Sequence, residues 1–315
     1  MMNFNEAACR PGIIGFFRIT RFIPVVASTL GAFALGILPA TIQNGFNYLT
    51  AWHILLIVFA GTTLHCVTGH AYNDFADWRS GTDKHSPGLL SGGSGVIEEG
   101  LLNERGLFLI GLAGMALPVL IGLYFYNLRG VFVLYIILTG IWAGAAYSLP
   151  PFRLAYRPLA GEWLALFPAF AAITAGSFFI LTGNLNRQVI TAGAIHGLMT
   201  LGWIMQHHLT DIESDLSAVP VKTTTPAFVY NRWGLTATKF VPAAYFFMAA
   251  IAGLAGGILI NPVLALPVIP SCLCIYIAFM TDPSDVRSIT GAEIKMLAIA
   301  TGNAAVLAVL LALGF

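Results

Sequence analysis

Two short acidic motifs, far apart in the 315-residue chain, hold the side chains best suited to chemistry. In the first, Asn73 and Asp74 lie four and three residues before Asp77, which places the three side chains on one face of a helix. In the second, Asp211 and Asp215 are four residues apart and again share a face. Clustered hard oxygen ligands suit Mg²⁺, which takes one or two carboxylates together with waters and substrate phosphates.

Two facing pairs of carboxylates repel each other unless cations lie between them, and an anionic substrate needs those same cations. Bound Mg²⁺ ions would meet both needs, and they would make a bridging diphosphate a good leaving group by neutralising the charge that develops on its oxygens. Nearby basic side chains could add charge-assisted hydrogen bonds to the phosphates. These basic residues are Arg79, Lys84, Arg153 and Lys222.

Simpler interpretations exist for each of these features. Either acidic motif alone fits solvated loop carboxylates as well as it fits a metal site, whereas the two motifs on one membrane face favour the metal site. His207 and His208 adjoin the second motif, but neighbouring residues on a helix point in different directions, so we expect them only to line the site. The four cysteines form no C-x-x-C pair and are expected to pack as small apolar residues.

The composition is that of a membrane protein. Hydrophobic residues make up 57% of the chain and charged residues only 9%, with a mean hydropathy of +0.82. Soluble domains usually carry about 25% charged residues. The formal net charge of +1 gives no basic field for a phosphate backbone, so nucleic acid is excluded as a partner.

Uncharged runs of about 20 residues predict nine transmembrane helices, because a helix of that length crosses the hydrocarbon layer. The long run from Phe22 to Asn73 divides at the polar stretch 41–50, and the run from Phe240 to Thr281 divides at Asn261-Pro262. The first run lacks a signal-peptide cleavage site, so we expect it to stay as a helix. The other predicted spans are 107–126, 131–149, 163–181, 188–209 and 296–315.

The distribution of basic residues predicts the orientation of these spans, since Lys and Arg concentrate in cytoplasmic loops. With nine spans, thirteen of the fifteen basic residues fall on one side, and only Arg129 and Arg187 fall on the other. Every Asp and Glu lies on the thirteen-cation side. The sequence therefore predicts a multi-pass protein of the inner (cytoplasmic) membrane, with its N-terminus and its active site on the cytoplasmic side. No repeat or low-complexity linker divides residues 1–315, which predicts one domain.

In its two acidic motifs, and over nearly its whole length, the chain resembles the UbiA superfamily of intramembrane prenyltransferases. It is most similar to the branch that prenylates 1,4-dihydroxy-2-naphthoate in menaquinone synthesis. Three segments carry this second likeness. They are the stretch from Asn73 through Gly81 to Asp83, the run 91–96 with 99–102, and the stretch Tyr147 to Glu162 that includes Tyr156.

The resemblance implies an all-α membrane fold around a central cavity and a transfer of a polyprenyl group from an allylic diphosphate to an electron-rich aromatic ring, with Mg²⁺ as cofactor. It implies one Mg²⁺ site at Asn73, Asp74 and Asp77 and another at Asp211 and Asp215. By the same resemblance Asp83 is a supporting carboxylate, and Tyr147 and Tyr156 are acceptor or supporting residues. The resemblance also implies that three of the basic residues named above contact the diphosphate. They are Arg79, Arg153 and Lys222.

Some features depart from the family pattern and leave other functions open. Gly81 stands where a third Asp is common, and the segment 218–224 lacks the Gly-Lys-Arg-Thr sequence often found after the second motif. An additional residue, Ala160, precedes Gly161-Glu162, so the acceptor pocket can differ from that of the naphthoate branch. Other ring acceptors, such as 4-hydroxybenzoate or homogentisate, and a membrane transporter are the alternatives. A transporter usually places its ionisable residues near the bilayer midplane.

Overall fold

The computed structural model describes residues 14–15, 18–19, 22–84 and 93–315. The side chains at 22–27 and at Lys84 lie outside this description, as does the first part of the run 91–96. All regular structure within the described residues is helical. The long helices are α1 (Phe22–Asn44), α2 (Tyr48–Ser80), α3 (Glu104–Arg129), α4 (Phe132–Ala146), α5 (Glu162–Thr182), α6 (Arg187–His207), α7 (Leu235–Leu259), α8 (Pro262–Met280) and α9 (Val286–Ala312).

The predicted apolar runs therefore all form helices, as a membrane composition requires. Within the described residues, seven helices are long and apolar enough to cross a membrane, namely α2, α3 and α5–α9. The apolar helix α4 has only 15 residues, and α1 has 23. The predicted all-α membrane fold is confirmed, while the number of nine crossings stays a prediction.

Polar caps explain where several helices begin. Asn103 accepts a hydrogen bond from the backbone N–H of Gly106 and starts α3, and Asn186 does the same for the first turn of α6. Asp285 accepts from the N–H of Arg287 and starts α9 at Val286, ten residues before the predicted beginning of the last span. Because α9 begins earlier, Glu293 belongs to a helix rather than to a loop.

Two of the membrane helices contain a turn of π-helix. In α2 this turn covers Thr63–Gly69 and directly precedes the first acidic motif, and in α5 it covers Glu162–Leu166. Such wide turns are rare, occur mostly as single insertions in α-helices and are frequent at functional sites. Both turns lie near the helix ends that form the acidic site described below.

Close contacts between small residues hold the bundle together. A Cβ atom at Gly36 of α1 would lie 2.3 Å from the Thr174 carbonyl oxygen of α5, so only glycine allows this approach. The Thr174 hydroxyl donates to the Ala32 carbonyl over 2.9 Å, which ties the same two helices. Small residues and interhelical hydrogen bonds of this kind replace the hydrophobic effect inside a bilayer. Helices α1 to α6 and α9 surround a central cavity, as predicted.

Candidate functional site

The first acidic motif occupies the last turns of α2. Asp74 and Asp77 are 3% and 5% exposed, so both carboxylates are buried although they stand at a helix end. The helix ends at Gly81, whose φ of +84° is the left-handed C-cap conformation that glycine adopts without strain. Gly81 therefore serves here as a helix terminator.

The second acidic motif follows α6. The chain turns after His207 through Asp211 into a short helix, Ile212–Ser217, that contains Asp215. The backbone N–H of Lys222 then donates to the Asp215 carbonyl over 2.9 Å, which folds the following loop back over this helix. In the same loop, the Val219 N–H donates to the Ser80 carbonyl over 2.8 Å, so this loop also contacts the end of α2.

Lys222 joins the two motifs. Its ammonium nitrogen lies 2.9 Å from Asp77 Oδ2 and 3.3 Å from Asp215 Oδ1, and its side chain is 5% exposed. The two carboxylates are therefore within about 6 Å of each other. The predicted convergence of the acidic motifs over one site is present in the structure.

Further polar groups orient the carboxylates. The Asn73 amide donates to Asp77 Oδ2 over 2.9 Å, and the Tyr156 hydroxyl donates to Asp77 Oδ1 over 3.4 Å. Asp74 accepts from the backbone N–H of Ser94 over 3.3 Å and also from its hydroxyl. The Thr224 hydroxyl donates to Asp215 Oδ2 over 3.2 Å. The sequence analysis assigned no role to Ser94 or Thr224, because both are distant in sequence from the acids that they contact.

A small cavity of about 50 Å³, here called the acidic pocket, opens between the motifs. Gly93 has a φ of +75°, and any Cβ there would lie 2.3 Å from Asp83 Oδ2, so glycine lets the backbone approach this acid. The pocket brings together predicted residues from four parts of the chain. Its lining residues are Asn73, Asp77, Thr82, Asp83, Gly93, Tyr147, His207, His208, Asp211 and Lys222.

The predicted basic residues differ in where the structure places them. The Arg153 guanidinium lies 5.5 Å from the centre of the Tyr156 ring, one side chain away from Asp77. Arg79 instead points to Glu104, 3.7 Å away, is 63% exposed and does not line the acidic pocket. The side chain of Lys84 lies outside the described residues. Of the four predicted basic residues, only Lys222 contacts acidic-motif carboxylates among the side chains that the structure describes.

Burial controls the charges in the loop part of the site. Desolvation is the main cause that raises the pKa of Asp215 to about 7. The positive charge of Lys222 lowers this pKa, and the negative charges of Asp211 and Asp77 raise it. Burial alone would lower the pKa of Lys222, but the attraction of Asp215 and Asp77 outweighs it and raises this pKa well above its usual value. The lysine thus stays positively charged and partly neutralises the acids.

No three His, Cys, Asp or Glu side chains within the described ranges converge into a ready-made metal cage. A physical reason is that the Lys222 ammonium lies between Asp77 and Asp215. Mg²⁺ does not require such a cage, since it commonly takes one or two carboxylates and fills its other positions with water and phosphate oxygens. The donor set of buried carboxylates and one amide oxygen fits that chemistry.

A larger apolar cavity of about 250 Å³, here called the chamber, extends from the acidic pocket into the bundle. Four residues line both cavities and form a passage between them, here called the neck. They are Asn73, Tyr147, His207 and His208. On α2 the lining of the chamber runs from Asn73 to Ile57, 16 residues, which corresponds to roughly 24 Å along a helix. It therefore has the length for an extended hydrocarbon tail.

A model of the UbiA prenyltransferase family matches residues 37–289, about four fifths of the chain. The chain belongs to this family. Its membership confirms the resemblance inferred from the motifs and the predicted enzyme class at the level of the family, and it favours an enzyme over a transporter.

Individual relatives of this UbiA protein are distant. It is 24% identical over 229 residues to the chloroplastic 2-carboxy-1,4-naphthoquinone phytyltransferase of Arabidopsis thaliana, a match that covers 67% of the chain but only 56% of that relative. Its fold is similar to that of a UbiA homolog from Archaeoglobus fulgidus bound to GPP and Mg²⁺, with a TM-score of 0.61, 15% identity and coverage of 94% and 99% of the two chains. A digeranylgeranylglyceryl phosphate synthase structure gives a TM-score of 0.60 at 13% identity, with coverage of 96% and 99%.

Proposed function

We propose that this UbiA protein catalyses the Mg²⁺-dependent transfer of a polyprenyl group from an allylic diphosphate to an aromatic acceptor. The observation that carries the proposal is the convergence of Asp77 and Asp215 on Lys222 in a pocket that shares the neck residues with an apolar chamber. A charged pocket joined to a hydrocarbon-lined cavity matches a substrate with a diphosphate head and an isoprenoid tail. The solved homolog that holds GPP and Mg²⁺ supports this assignment.

Within this proposal, Asn73, Asp74 and Asp77 hold one Mg²⁺, and Asp211 and Asp215 hold the other. Bound Mg²⁺ would neutralise the negative charge that develops on the diphosphate as it leaves. Ser94 and Thr224 keep their carboxylate partners in fixed orientations through the hydrogen bonds described above. Asp83 lines the same pocket and is assigned as a supporting carboxylate.

Lys222 and Arg153 are the basic residues best placed for phosphate oxygens. Lys222 already lies between the two acidic motifs, and Arg153 is held beside Tyr156 at the pocket's edge. A charge-assisted hydrogen bond from either would be stronger than a neutral one. Roles for Arg79 and Lys84 stay predictions from the sequence, and Arg79 would have to leave Glu104 to fulfil its role.

The chamber's hydrophobic walls would bind the tail and keep water away from the reacting carbon, while Tyr147 in the neck and Tyr156 beside Asp77 would face the acceptor or support the site. We infer 1,4-dihydroxy-2-naphthoate as the acceptor, because the Arabidopsis thaliana relative is named for a carboxylated naphthoquinone substrate. 4-Hydroxybenzoate and homogentisate are the alternatives.

We also infer that the acidic pocket opens on the cytoplasmic side of the inner membrane. The helix ends near the pocket belong to the side of the chain that carries thirteen of the fifteen basic residues. Arg129, one of the two exceptions, donates to the carbonyls of Ile180 and Leu181 at the far end of the chamber.

The experiment that tests the proposed function uses purified full-length protein in lipid nanodiscs, Mg²⁺, labelled prenyl diphosphates of several lengths and the three acceptors. Product is identified by mass spectrometry. We expect a Mg²⁺-dependent prenylated naphthoate-derived product with the carboxyl group lost. Prenylation of another acceptor only would overturn the acceptor assignment, and the absence of any prenylated product would overturn the enzymatic assignment.

A further inference from the structure

An ionisable side chain of the last helix reaches the cavity wall beside the neck. Glu293 of α9 is 2% exposed and lines the chamber. Its Oε1 lies 3.0 Å from Nδ1 of His207, a neck residue contributed by the end of α6. Burying a carboxyl group inside an apolar bundle is costly unless it has a partner, and ionisable groups at membrane depth are usually functional.

The contact sets the orientation and the tautomer of the imidazole. A carboxylate only accepts hydrogen bonds, so in a neutral imidazole the hydrogen lies on Nδ1 and Nε2 becomes the acceptor nitrogen. An acid that fixes a histidine in this way makes the other nitrogen a better hydrogen-bond acceptor. The pair thus presents an oriented acceptor atom at the neck, beside Asn73, Tyr147 and His208.

The neck is also where the two substrates must meet, a point that rests on the proposed function. With a diphosphate head in the acidic pocket and its tail in the chamber, the reacting carbon between them lies at the neck. The aromatic ring of the acceptor must therefore come within contact distance of that carbon. Trp203 and Phe170 line the adjacent chamber wall and offer aromatic surfaces against which a ring can pack.

We propose that His207 accepts a hydrogen bond from a ring hydroxyl of the aromatic acceptor, and that Glu293 is the positioning residue that orients His207. The acceptor hydroxyl would compete with the other polar groups of the neck for the Nε2 atom of His207. The proton stays on the hydroxyl oxygen, and the contact places the ring so that an electron-rich carbon faces the prenyl chain. The site therefore selects hydroxylated aromatic rings over their ethers.

Three variants separate this role from a purely structural one. His207→Phe keeps a ring of similar shape without its nitrogens, and Glu293→Met removes the carboxyl group at similar volume. Glu293→Gln still offers an oxygen to Nδ1. We expect the first two to raise the KM for the acceptor by about tenfold, the usual effect of one lost hydrogen bond, with the KM for geranyl diphosphate changed less than twofold. Glu293→Gln should stay near the wild type.

A binding measurement tests the proposed hydrogen bond between the acceptor hydroxyl and His207 independently of catalysis. Quenching of tryptophan fluorescence reports the binding of 4-hydroxy-2-naphthoate and of 4-methoxy-2-naphthoate to the full-length protein without Mg²⁺. We expect the wild type to bind the hydroxyl form about tenfold more tightly and His207→Phe to bind both forms equally. Retention of the hydroxyl preference in His207→Phe would overturn the proposal, whereas a failure to form prenylated product would concern the proposed function alone.

Discussion

Lys222 and Asp77 are 145 residues apart in the chain, yet the lysine ammonium donates to the Asp77 carboxylate over 2.9 Å. Both side chains are almost fully buried. A buried ion pair contributes little net stability, but the loss of one partner leaves an uncompensated charge. The pair therefore couples the first acidic motif to the loop that follows the second one.

Replacing either of the two carboxylates that contact Lys222 should nearly abolish prenyl transfer. Asp77→Asn and Asp215→Asn each delete a negative charge that would hold Mg²⁺, and with it the diphosphate, so we expect the rate of product formation to fall on the order of a hundredfold or more. Glu213→Gln is the matched control, because Glu213 lies on the same short helix as Asp215 but is exposed. Full activity in both Asp variants would exclude the assigned metal roles.

Removing the lysine should destabilise the metal-free protein. Lys222→Met leaves Asp77 and Asp215 buried without their cation, which costs about 3–5 kcal/mol for a buried pair. We expect a lower Tm in the presence of EDTA and a smaller difference from wild type when Mg²⁺ is added. Lys295→Met, at an exposed position, serves as the control. An unchanged Tm for Lys222→Met in EDTA would show that the ion pair is not maintained in the membrane protein.

Mg²⁺ affinity should depend on pH around neutrality. In the metal-free chain, burial raises the pKa of Asp215 from 3.8 to about 7. Mg²⁺ binds the ionised carboxylate, so the affinity is highest above pH 7 and falls as the pH drops through about 7, by up to tenfold per pH unit. Calorimetric titration with Mg²⁺ between pH 5.5 and 8.5 measures this slope, and Asp215→Asn should bind weakly at every pH.

The deep end of the chamber should limit the length of the transferred chain. Val133 lines the chamber near its far end, and a phenylalanine there would occupy space needed by the last isoprene units. We expect Val133→Phe to transfer geranyl groups at nearly the wild-type rate and long polyprenyl groups at least tenfold more slowly. Leu254→Phe, on an exposed face of α7, should leave the chain-length preference unchanged. Equal losses for short and long substrates would contradict this assignment.

Much of this architecture follows from local sequence. Apolar runs and polar breaks predict the helices, and the three- and four-residue spacings place each acid pair on one helix face. The position of Arg79 also follows from spacing, because it is two residues beyond Asp77 and side chains at that spacing do not face each other. Proximity in sequence and the family resemblance predicted that Arg79 contacts the diphosphate, whereas the structure places it beside Glu104.

Other parts of the site depend on contacts that no local pattern encodes. In the sequence Glu293 lies near charged residues, which is typical of a loop. In the structure it lies inside the bundle and contacts His207. Nothing in the local sequence distinguishes Ser94 and Thr224 from other polar residues, but in the folded chain they contact Asp74 and Asp215. Hydrogen-bond partners distant in sequence are set by tertiary packing, which single-sequence periodicity does not report.

The π-helical turn at Thr63–Gly69 makes the winding of α2 a functional quantity. A π turn takes about one residue more than an α turn to complete the same rotation. If substitutions let the wide turn close into an ordinary α-helix with every residue retained, the part of α2 after it would rotate by about 100° relative to the part before it. Asp74 and Asp77 would then turn away from Lys222 even though every side chain of the motif was intact. Substitutions in this segment should therefore be tolerated only where they preserve the wide turn.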